Sequence, residues 1–305
     1  MGFTSSAEFS VYESWDLALP KASPRSRLYH LKPISVGTPR TESCTGYLAR
    51  LAMEHCVSVH SLFSRELGPA ANKLFGAESK FANYRMYGPR TLLNGRNRTA
   101  RDWIEVLERV TLRREIRFLT MLTWQNVLPD KGLSRAFHAW CPRCLEEQNG
   151  SKGAVYEHLL WTLGAVKICP HHEKLLETVC PHCRKQIPTF AYRSRPGHCS
   201  RCLGWLGYSG SKKEIDVPPL DADEVKYQMW IADQMGRLIA VAPELQSGPP
   251  RERVTNFIRL CKNNTGGNIC DFARFAGVRE ETAYKWLHGE HIPTTDALLK
   301  VLLSL

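Results

Sequence analysis

Apolar residues recur at spacings of three and four along several stretches of the chain, which is the period of a helix that buries one face. The clearest stretch opens at Glu42-Ser43, and the buried face that it predicts collects these residues: Tyr47, Leu48, Leu51, Ala52 and Cys56. Ser58 can cap a second helix, from His60 to about Leu67, because its hydroxyl can accept a hydrogen bond from the first turn. We therefore predict a helix-turn-helix near the N-terminus.

Three more helices are predicted further along the chain. Two of them, Trp103 to Thr111 and Arg114 to about Leu122, show the same apolar spacing. The third begins at an acidic patch near Asp221 and runs to about Val241. Carboxylates favour the N-terminal end of a helix, because they meet the positive end of its dipole there. The fold class that these patterns predict is mainly α.

Between Cys141 and Cys202 the chain carries four short pairs of metal-ligand residues. The pairs have the form C-x2-C or C-x2-H, and they are Cys141/Cys144, Cys169/His172, Cys180/Cys183 and Cys199/Cys202. Two intervening residues let one tight turn direct both side chains at a single ion. Pairing in order gives one shell of three cysteines and a histidine and a second shell of four cysteines. Closed four-ligand shells are typical of structural zinc, so we predict two structural Zn²⁺ ions in a tandem zinc-ribbon or zinc-finger module.

Other interpretations of these residues are weaker. A lone C-x-x-C can be a redox pair, but four pairs in one short span favour zinc. A zinc deaminase needs H-x-E followed by P-C-x-x-C, and although His171-His172-Glu173 supplies the first part, no cysteine directly follows a proline. His171 is an alternative ligand, yet only His172 repeats the spacing of the other pairs. The remaining cysteines are expected to be small core residues: Cys44, Cys56, Cys261 and Cys270.

The net charge of +11 favours a polyanionic partner, with nucleic acid the first candidate. Between Leu67 and Arg101 the only acid is Glu78, and two tyrosines lie among the bases. Bases interleaved with aromatic residues suit a phosphate-tracking surface, although a solvated basic face explains them equally well. The candidate contacts in this stretch are Arg85, Arg90, Arg96 and Arg98.

No apolar run approaches the ~20 residues that a membrane span needs, and the N-terminus lacks a basic-then-apolar signal peptide. We therefore expect a cytoplasmic protein with no membrane partner.

The stretch from about residue 251 resembles a lambda-repressor-like helix-turn-helix. The residues that carry the resemblance are Asp271, Phe272, Ala273, Gly277, Val278, Ala283, Lys285, Trp286, Gly289 and Pro293. The pattern implies that Ala273 packs against Ala283, that Gly277 supplies the left-handed turn residue and that Gly289 ends the recognition helix. Thr294 is expected to cap a last helix that ends near Leu303.

In that unit the plausible DNA contacts are Arg279, Thr282 and Lys285. Glu280 and Glu281 lie at the start of the recognition helix, where phosphates would repel them. A role in packing against protein is therefore left open beside a role in DNA recognition.

The zinc pairs and the residues around them also resemble the TniQ family, the target-selection proteins of Tn-type transposons that include TnsD-like proteins. Tyr156 and Trp161 precede Cys169-Pro-His-His172, Leu176 stands four residues after that histidine, and the Cys180 pair follows at once. Weaker upstream matches are Glu42-Ser43, the run from Tyr47 to Ala52, the run from Ser58 to Phe63, and Leu119-Thr120. Together they cover roughly residues 28 to 202.

The resemblance implies a non-enzymatic adaptor that links target DNA, or a DNA-bound CRISPR effector of the Cascade type with its guide RNA, to a TnsC-like AAA+ ATPase. It also leaves room for a homodimer and implies a prokaryotic protein that is associated with the nucleoid when engaged. The chain lacks a P-loop and a G-x-S-x-G elbow. The alternative is a zinc-containing helix-turn-helix transcriptional regulator. A metal nuclease built on His171, His172 and Glu173 is a third interpretation, which a closed zinc shell disfavours.

The length of 305 residues predicts more than one domain. The expected organisation is a loosely ordered arm at 1–27, a helical TniQ-like domain at 28–135, the tandem zinc module at 136–210, a linker and helix at 211–250, and the C-terminal helix-turn-helix at 251–305.

Overall fold

The computed structural model describes residues 24–76, 93–151, 153–208 and 221–303. The described part is mainly helical, as predicted. Its α-helices in chain order are α1 Cys44–Glu54, α2 Val59–Leu62, α3 Gly68–Phe75, α4 Arg98–Thr111, α5 Pro142–Gly150, α6 Ala222–Val241, α7 Glu252–Asn264, α8 Ile269–Ala276, α9 Glu280–Leu287 and α10 Thr295–Leu303. Strand β1 Ile168–Cys169 pairs antiparallel with β2 Lys174–Leu175. Short 3-10 segments span Arg114–Leu119, Leu122–Trp124, Leu159–Thr162 and Ala242–Glu244.

Side-chain caps begin several helices where the sequence predicted them. Ser43 and Ser58 each accept a hydrogen bond from the backbone N–H three residues later, both at 3.0 Å. Asp221 Oδ1 accepts one from Glu224 N at 2.7 Å at the start of α6. Each bond satisfies a backbone donor that the first helical turn leaves without a partner.

Helix α1 is buried on every side, from Cys44 to Ala52, rather than along one face. Its Arg50 lies in the core because Nε and Nη2 donate to the carboxylate of Glu42 at 2.8 and 2.7 Å, and Nη2 also donates to Lys32 O at 2.8 Å. A buried guanidinium needs such a paired and hydrogen-bonded carboxylate. This bond network also fixes the chain that leads into α1.

The expectation that the four cysteines outside the metal-ligand pairs are core residues is wrong for two of them. Cys44 and Cys261 are buried, but Cys56 and Cys270 are exposed. Cys56 lies beyond the end of α1 at Glu54 and has a positive φ of 54°, so it no longer continues the buried helical face.

Two of the predicted helices differ in their extent and type. Helix α2 continues through a π-helical turn, Phe63–Leu67, directly into α3. The segment expected as a helix from Arg114 to about Leu122 is a 3-10 segment that ends at Leu119. Helices α1 to α4 and this segment share one hydrophobic core, to which Phe190 also contributes.

A second core surrounds the four predicted zinc pairs and includes helix α6. Trp140 and Trp161 are buried in it, and α6 contributes Ile231 and Met235. Helix α6 packs on β1 and on the segment Leu159–Thr162. The helix therefore belongs to the framework that positions the metal-ligand candidates.

Helices α7 to α10 enclose a third core, in which Phe272, Ala273 and Ala283 are buried. Helix α8 ends at Ala276, and its C-cap Gly277 has the predicted left-handed conformation with φ 69° and ψ 35°. Gly289, beyond the end of α9, has a φ of 72°. The identification of this unit as a DNA-binding helix-turn-helix stays a prediction.

Some expectations fall on residues outside the described ranges. Residues 1–23 of the predicted arm, Arg85 and Arg90 belong to this group. Within the described residues, the structure contains no helix long and apolar enough to span a membrane.

Candidate metal centres

The first group of candidate ligands is Cys141, Cys144, Cys169 and His172, whose ligand atoms all lie within 4.8 Å of one another. His172 Nδ1 is 3.3 Å from the Sγ atoms of Cys141 and Cys144 and 3.8 Å from that of Cys169. Cys144 Sγ and Cys169 Sγ are 3.6 Å apart. Zn–S bonds of ~2.3 Å in a tetrahedron place neighbouring sulfurs about 3.8 Å apart, so this group fits one zinc ion at its centre.

The second group is Cys180, Cys183, Cys199 and Cys202, again with all ligand atoms within 4.8 Å of one another. The Sγ–Sγ distances are 3.7 Å for Cys180 and Cys202 and 3.8 Å for Cys183 and Cys199. A hydrogen bond from the backbone of Gly204 lowers the pKa of Cys202 to about 7, whereas burial raises the pKa of Cys180 to about 12 and that of Cys199 as well. The thiolate is the form that binds metal, so the case for a metal site in this group rests on its geometry and ligand types.

The structure groups the eight side chains in the order predicted from the sequence. His172 joins the first group, whereas His171 lies outside the sulfur cluster and is exposed. Both groups consist of the soft thiolate and imidazole ligands that zinc prefers.

Three of the four pairs lie in the same kind of turn. The residue after each pair has a positive φ, which is 54° at Glu173, 55° at Arg184 and 63° at Leu203. Its N–H donates to the carbonyl of the first cysteine of the pair, at 2.8, 2.9 and 2.9 Å respectively. A left-handed residue other than glycine costs about 1–3 kcal/mol. Metal ligation by the two residues of each pair would offset that cost.

The first pair is built differently, which the sequence did not predict. Cys141 immediately precedes α5, and Pro142 occupies the first helical position, where its missing N–H has no intrahelical partner to lose. Cys144 follows on the first turn of the helix. A helix N-terminus therefore replaces the tight turn expected here.

Glu147, on the same helix, orients the histidine of the first group. Its Oε1 accepts a hydrogen bond from His172 Nε2 at 2.9 Å, so the other ring nitrogen, Nδ1, faces the sulfurs. The hydrogen bond from His172 lowers the pKa of Glu147. Carboxylates placed in this way fix the tautomer and orientation of a zinc-binding histidine.

Glu147 was not predicted as a site residue, although it lies three residues after Cys144, a spacing that places both on one face of a helix. The contact also bears on the nuclease interpretation. His171, His172 and Glu147 lie close enough to form a third metal-ligand group, but His172 already directs Nδ1 at the cysteines. These three residues therefore do not form a separate metal site, because Glu147 and His171 lie on the side of His172 that faces away from the sulfurs.

Two tryptophans connect the clusters to each other and to the core. Trp140 Nε1 donates to Leu206 O at 3.0 Å, and Trp205 Nε1 donates to Glu146 Oε2 at 3.0 Å. Two residues that follow the second cluster, Trp205 and Leu206, are thereby bonded to residues on either side of the first ligand pair. The two clusters form one connected framework.

The candidate nucleic-acid contacts within the described residues differ in their surroundings. The side chain of Arg98 is 91% exposed and lies 3.7 Å from Asp102. Arg96 is mostly buried, donates to Gln125 O and pairs with Asp130 at 3.4 Å. Its charge is therefore already partnered within the molecule.

In the C-terminal unit, Arg279 is exposed at the start of α9 and Thr282 is half-buried. Lys285 Nζ donates to Glu281 Oε1 at 2.5 Å, so this lysine already has a carboxylate partner.

No curated protein matches this chain. The family model named TniQ matches residues 33–176, a region that contains the whole first cluster and ends before the second. This part of the chain is therefore a TniQ domain, and a TniQ domain implies a role in the selection of the target for transposition.

Proposed function

We propose that this chain is a non-enzymatic adaptor that directs a Tn-type transposon to its insertion site. It would link target DNA, or a DNA-bound CRISPR effector, to a TnsC-like AAA+ ATPase. The observation that carries the proposal is the TniQ match over residues 33–176.

The chemistry of the two cysteine clusters supports an adaptor. Each cluster offers four protein ligands to one ion, and a filled tetrahedral shell leaves no position for water or substrate. We propose that each cluster holds one structural Zn²⁺ ion. When bound, zinc supplies folding free energy and fixes the turns that carry its ligands.

A rigid framework suits a protein that must hold two partners at once. The bonds of Trp140 and Trp205 connect the clusters, and α6 packs into the same core. Surfaces that are already ordered lose less conformational entropy when they bind. The framework can therefore present DNA-facing and ATPase-facing surfaces in a fixed relation.

The experiment adds this chain to target DNA and a cognate TnsC-like ATPase with ATP, and images or footprints the ATPase. We expect the ATPase to occupy a defined position on the DNA only when the chain is present. A parallel sample includes the CRISPR effector with its guide RNA, because an RNA-guided system needs it. An unchanged ATPase distribution in both samples would reject the adaptor.

The alternative, a transcriptional regulator, depends on base recognition by the C-terminal unit. Glu280 and Glu281 in the first turn of α9 and the ion pair between Glu281 and Lys285 support protein packing more than DNA reading. Tight binding of the isolated chain to a short palindrome would support the regulator instead.

A further inference from the structure

We propose that the turns of the second cysteine cluster bind the phosphate backbone of duplex DNA. This cluster begins at Cys180 and so lies beyond the region 33–176 that matches the family model. The proposal deepens the adaptor function by naming a surface for target DNA. It is tested on this chain alone, without ATPase or effector, so the two proposals can fail separately.

The charge of this segment is of one sign. Residues 178–208 contain no aspartate or glutamate, and their bases are Arg184, Lys185, Arg193, Arg195 and Arg201. All five of these bases are exposed. A solvated face that serves only solubility commonly mixes both signs, whereas a uniform field attracts a polyanion.

The fold brings three of these bases to one end of the cluster. Arg184 and Lys185 follow the first cysteine pair, and Arg201 lies inside the second pair. Arg201 Nε donates to the carbonyl of Gln186 at 3.0 Å, and the Sγ atoms of Cys180 and Cys202 are 3.7 Å apart. Metal ligation of these cysteines would hold the three cationic groups in a fixed arrangement.

None of the three bases forms an ion pair with a carboxylate among the residues that the structure describes. Glu146 does reach this segment, but its Oε2 accepts the hydrogen bond from Trp205 Nε1 at 3.0 Å. Elsewhere, exposed bases such as Arg109 and Arg237 each have a carboxylate four residues away at 3.7 and 2.9 Å. The cations at the second cluster are therefore available to an external anion.

The absence of carboxylates favours nucleic acid over an acidic protein. Phosphates repeat at short and regular intervals along DNA, so one misplaced carboxylate on the face would be repelled wherever the strand passes. A protein partner tolerates mixed charges, because it can place its own bases opposite. The segment 178–208 shows the pattern that suits phosphates.

The aromatic residues of the segment favour a duplex over a single strand. Single-strand binding relies on aromatic rings that stack on bases. Here Phe190 is buried, Tyr208 is half-buried, Tyr192 packs edge-on against His60 at 4.9 Å, and Trp205 packs against His198 at 5.2 Å. These rings are occupied within the protein, so the bases are left to contact phosphates without reading sequence.

The test measures binding of the full zinc-loaded chain to a labelled duplex of arbitrary sequence by fluorescence anisotropy over a range of salt concentrations. The variant combines Arg184→Gln, Lys185→Gln and Arg201→Gln. Three lost phosphate contacts should reduce the slope of log affinity against log salt by about 2.7. Between about 50 and 200 mM salt, affinity of the wild type should then fall about 40-fold more than that of the variant.

The matched control combines Arg109→Gln, Lys226→Gln and Arg237→Gln, which removes the same net charge from bases that are paired with nearby carboxylates. Zinc content and circular dichroism establish that both variants fold. Equal losses in the two variants would overturn the proposal, because net charge alone would then explain binding. An unchanged slope in the cluster variant would overturn it as well, and so would an equal effect on single-stranded DNA.

A poly-glutamate peptide distinguishes the remaining partner class. If the cluster variant loses the peptide but keeps the duplex, this face binds acidic protein and the DNA proposal is wrong. We expect the reverse result.

Discussion

At the scale of single residues, the histidine of the first cluster shows how one contact outside a metal shell can determine the ligand geometry. His172 has two ring nitrogens, and only one can face the cysteines. The hydrogen bond between Nε2 and Glu147 Oε1 at 2.9 Å assigns the proton to Nε2 and leaves Nδ1 as the ligand atom. The side chain of Glu147 is 53% exposed, so it contributes by orienting the ring of His172 rather than by burying surface.

We therefore predict that Glu147→Ala weakens zinc binding at the first cluster by about 10- to 100-fold. Glu147→Gln should have a smaller effect, because its amide oxygen can still accept the bond from His172. Competition with a chelator measures the affinity of each ion.

Glu146→Gln is the matched control for this prediction. It removes the adjacent negative charge but leaves His172 untouched, and its amide oxygen can still accept from Trp205. Equal zinc affinity in Glu147→Ala and the wild type would show that the bond does not position the ligand.

Another residue-scale feature, the buried pair of Glu42 and Arg50, lay beyond sequence reasoning. A glutamate before a helix and an arginine within it are ordinarily exposed. Only the fold reveals that the carboxylate also accepts from Ile34 N at 3.1 Å and that the guanidinium donates to Lys32 O at 2.8 Å. Such contacts join segments that are distant in sequence, and periodicity does not report them.

At the scale of elements, the sequence predicted best the features that depend on local chemistry. The helix start at Glu42-Ser43, the cap at Ser58, the start of α6 after Asp221 and the left-handed Gly277 were predicted at the right positions. Each depends on bonds or dihedral angles within a few residues. The grouping of the eight candidate ligands also followed from their order along the chain.

The features that depend on tertiary packing were predicted less well. The 3-10 segment Arg114–Leu119 has the apolar spacing of an α-helix, and spacing alone does not distinguish the two. The start of α5 within the first ligand pair was read as a turn, because all four pairs share one spacing. Pro142 does not distinguish this pair either, because Pro170 and Pro181 occupy the same position in two pairs that form turns.

The two clusters make a prediction about metal content. We expect two zinc ions per chain in the wild type, and one ion per chain after either Cys141→Ser or Cys180→Ser. Each lost ion should also lower the free energy of unfolding, because zinc ligation contributes directly to folding. Elemental analysis of the purified chain gives the stoichiometry, and denaturant unfolding gives the stability.

Cys56→Ser is the control, because Cys56 is exposed and lies outside both clusters. It should retain both ions. Two ions in Cys141→Ser, or fewer than two in the wild type prepared with zinc, would contradict the proposed ligand sets.

At the scale of the whole molecule, the cores cross the domain boundaries that the sequence suggested, although the boundaries themselves stay predictions. Helix α6 belongs to the core around the cysteine clusters, and Leu299 of α10 is buried in that same core. Phe190, between the two pairs of the second cluster, packs into the core of the N-terminal helices. These contacts connect the described parts of the chain into one structure.

The segment between α6 and α7 provides a further fixed point. Gly248 approaches the backbone of Thr123 so closely that an added Cβ would lie 2.3 Å from Thr123 O. A separation this short cannot be accommodated without moving one of the two backbone segments. This close approach fixes the segment that leads into α7 against the 3-10 segment Leu122–Trp124.

We predict that Gly248→Ala destabilises the protein by about 1–3 kcal/mol, the usual cost of forcing an extra group into a packed contact. Gly150→Ala is the matched control, because a Cβ at Gly150 meets no atom within 4 Å. Denaturant unfolding measures the stability of both variants, and hydrogen exchange should show faster exchange near Thr123 and Gly248 in the first variant alone. Both variants should keep two zinc ions, because neither glycine touches a ligand. If the two variants unfold alike, this contact does not fix the C-terminal helices, and their orientation must depend on the packing of Leu299.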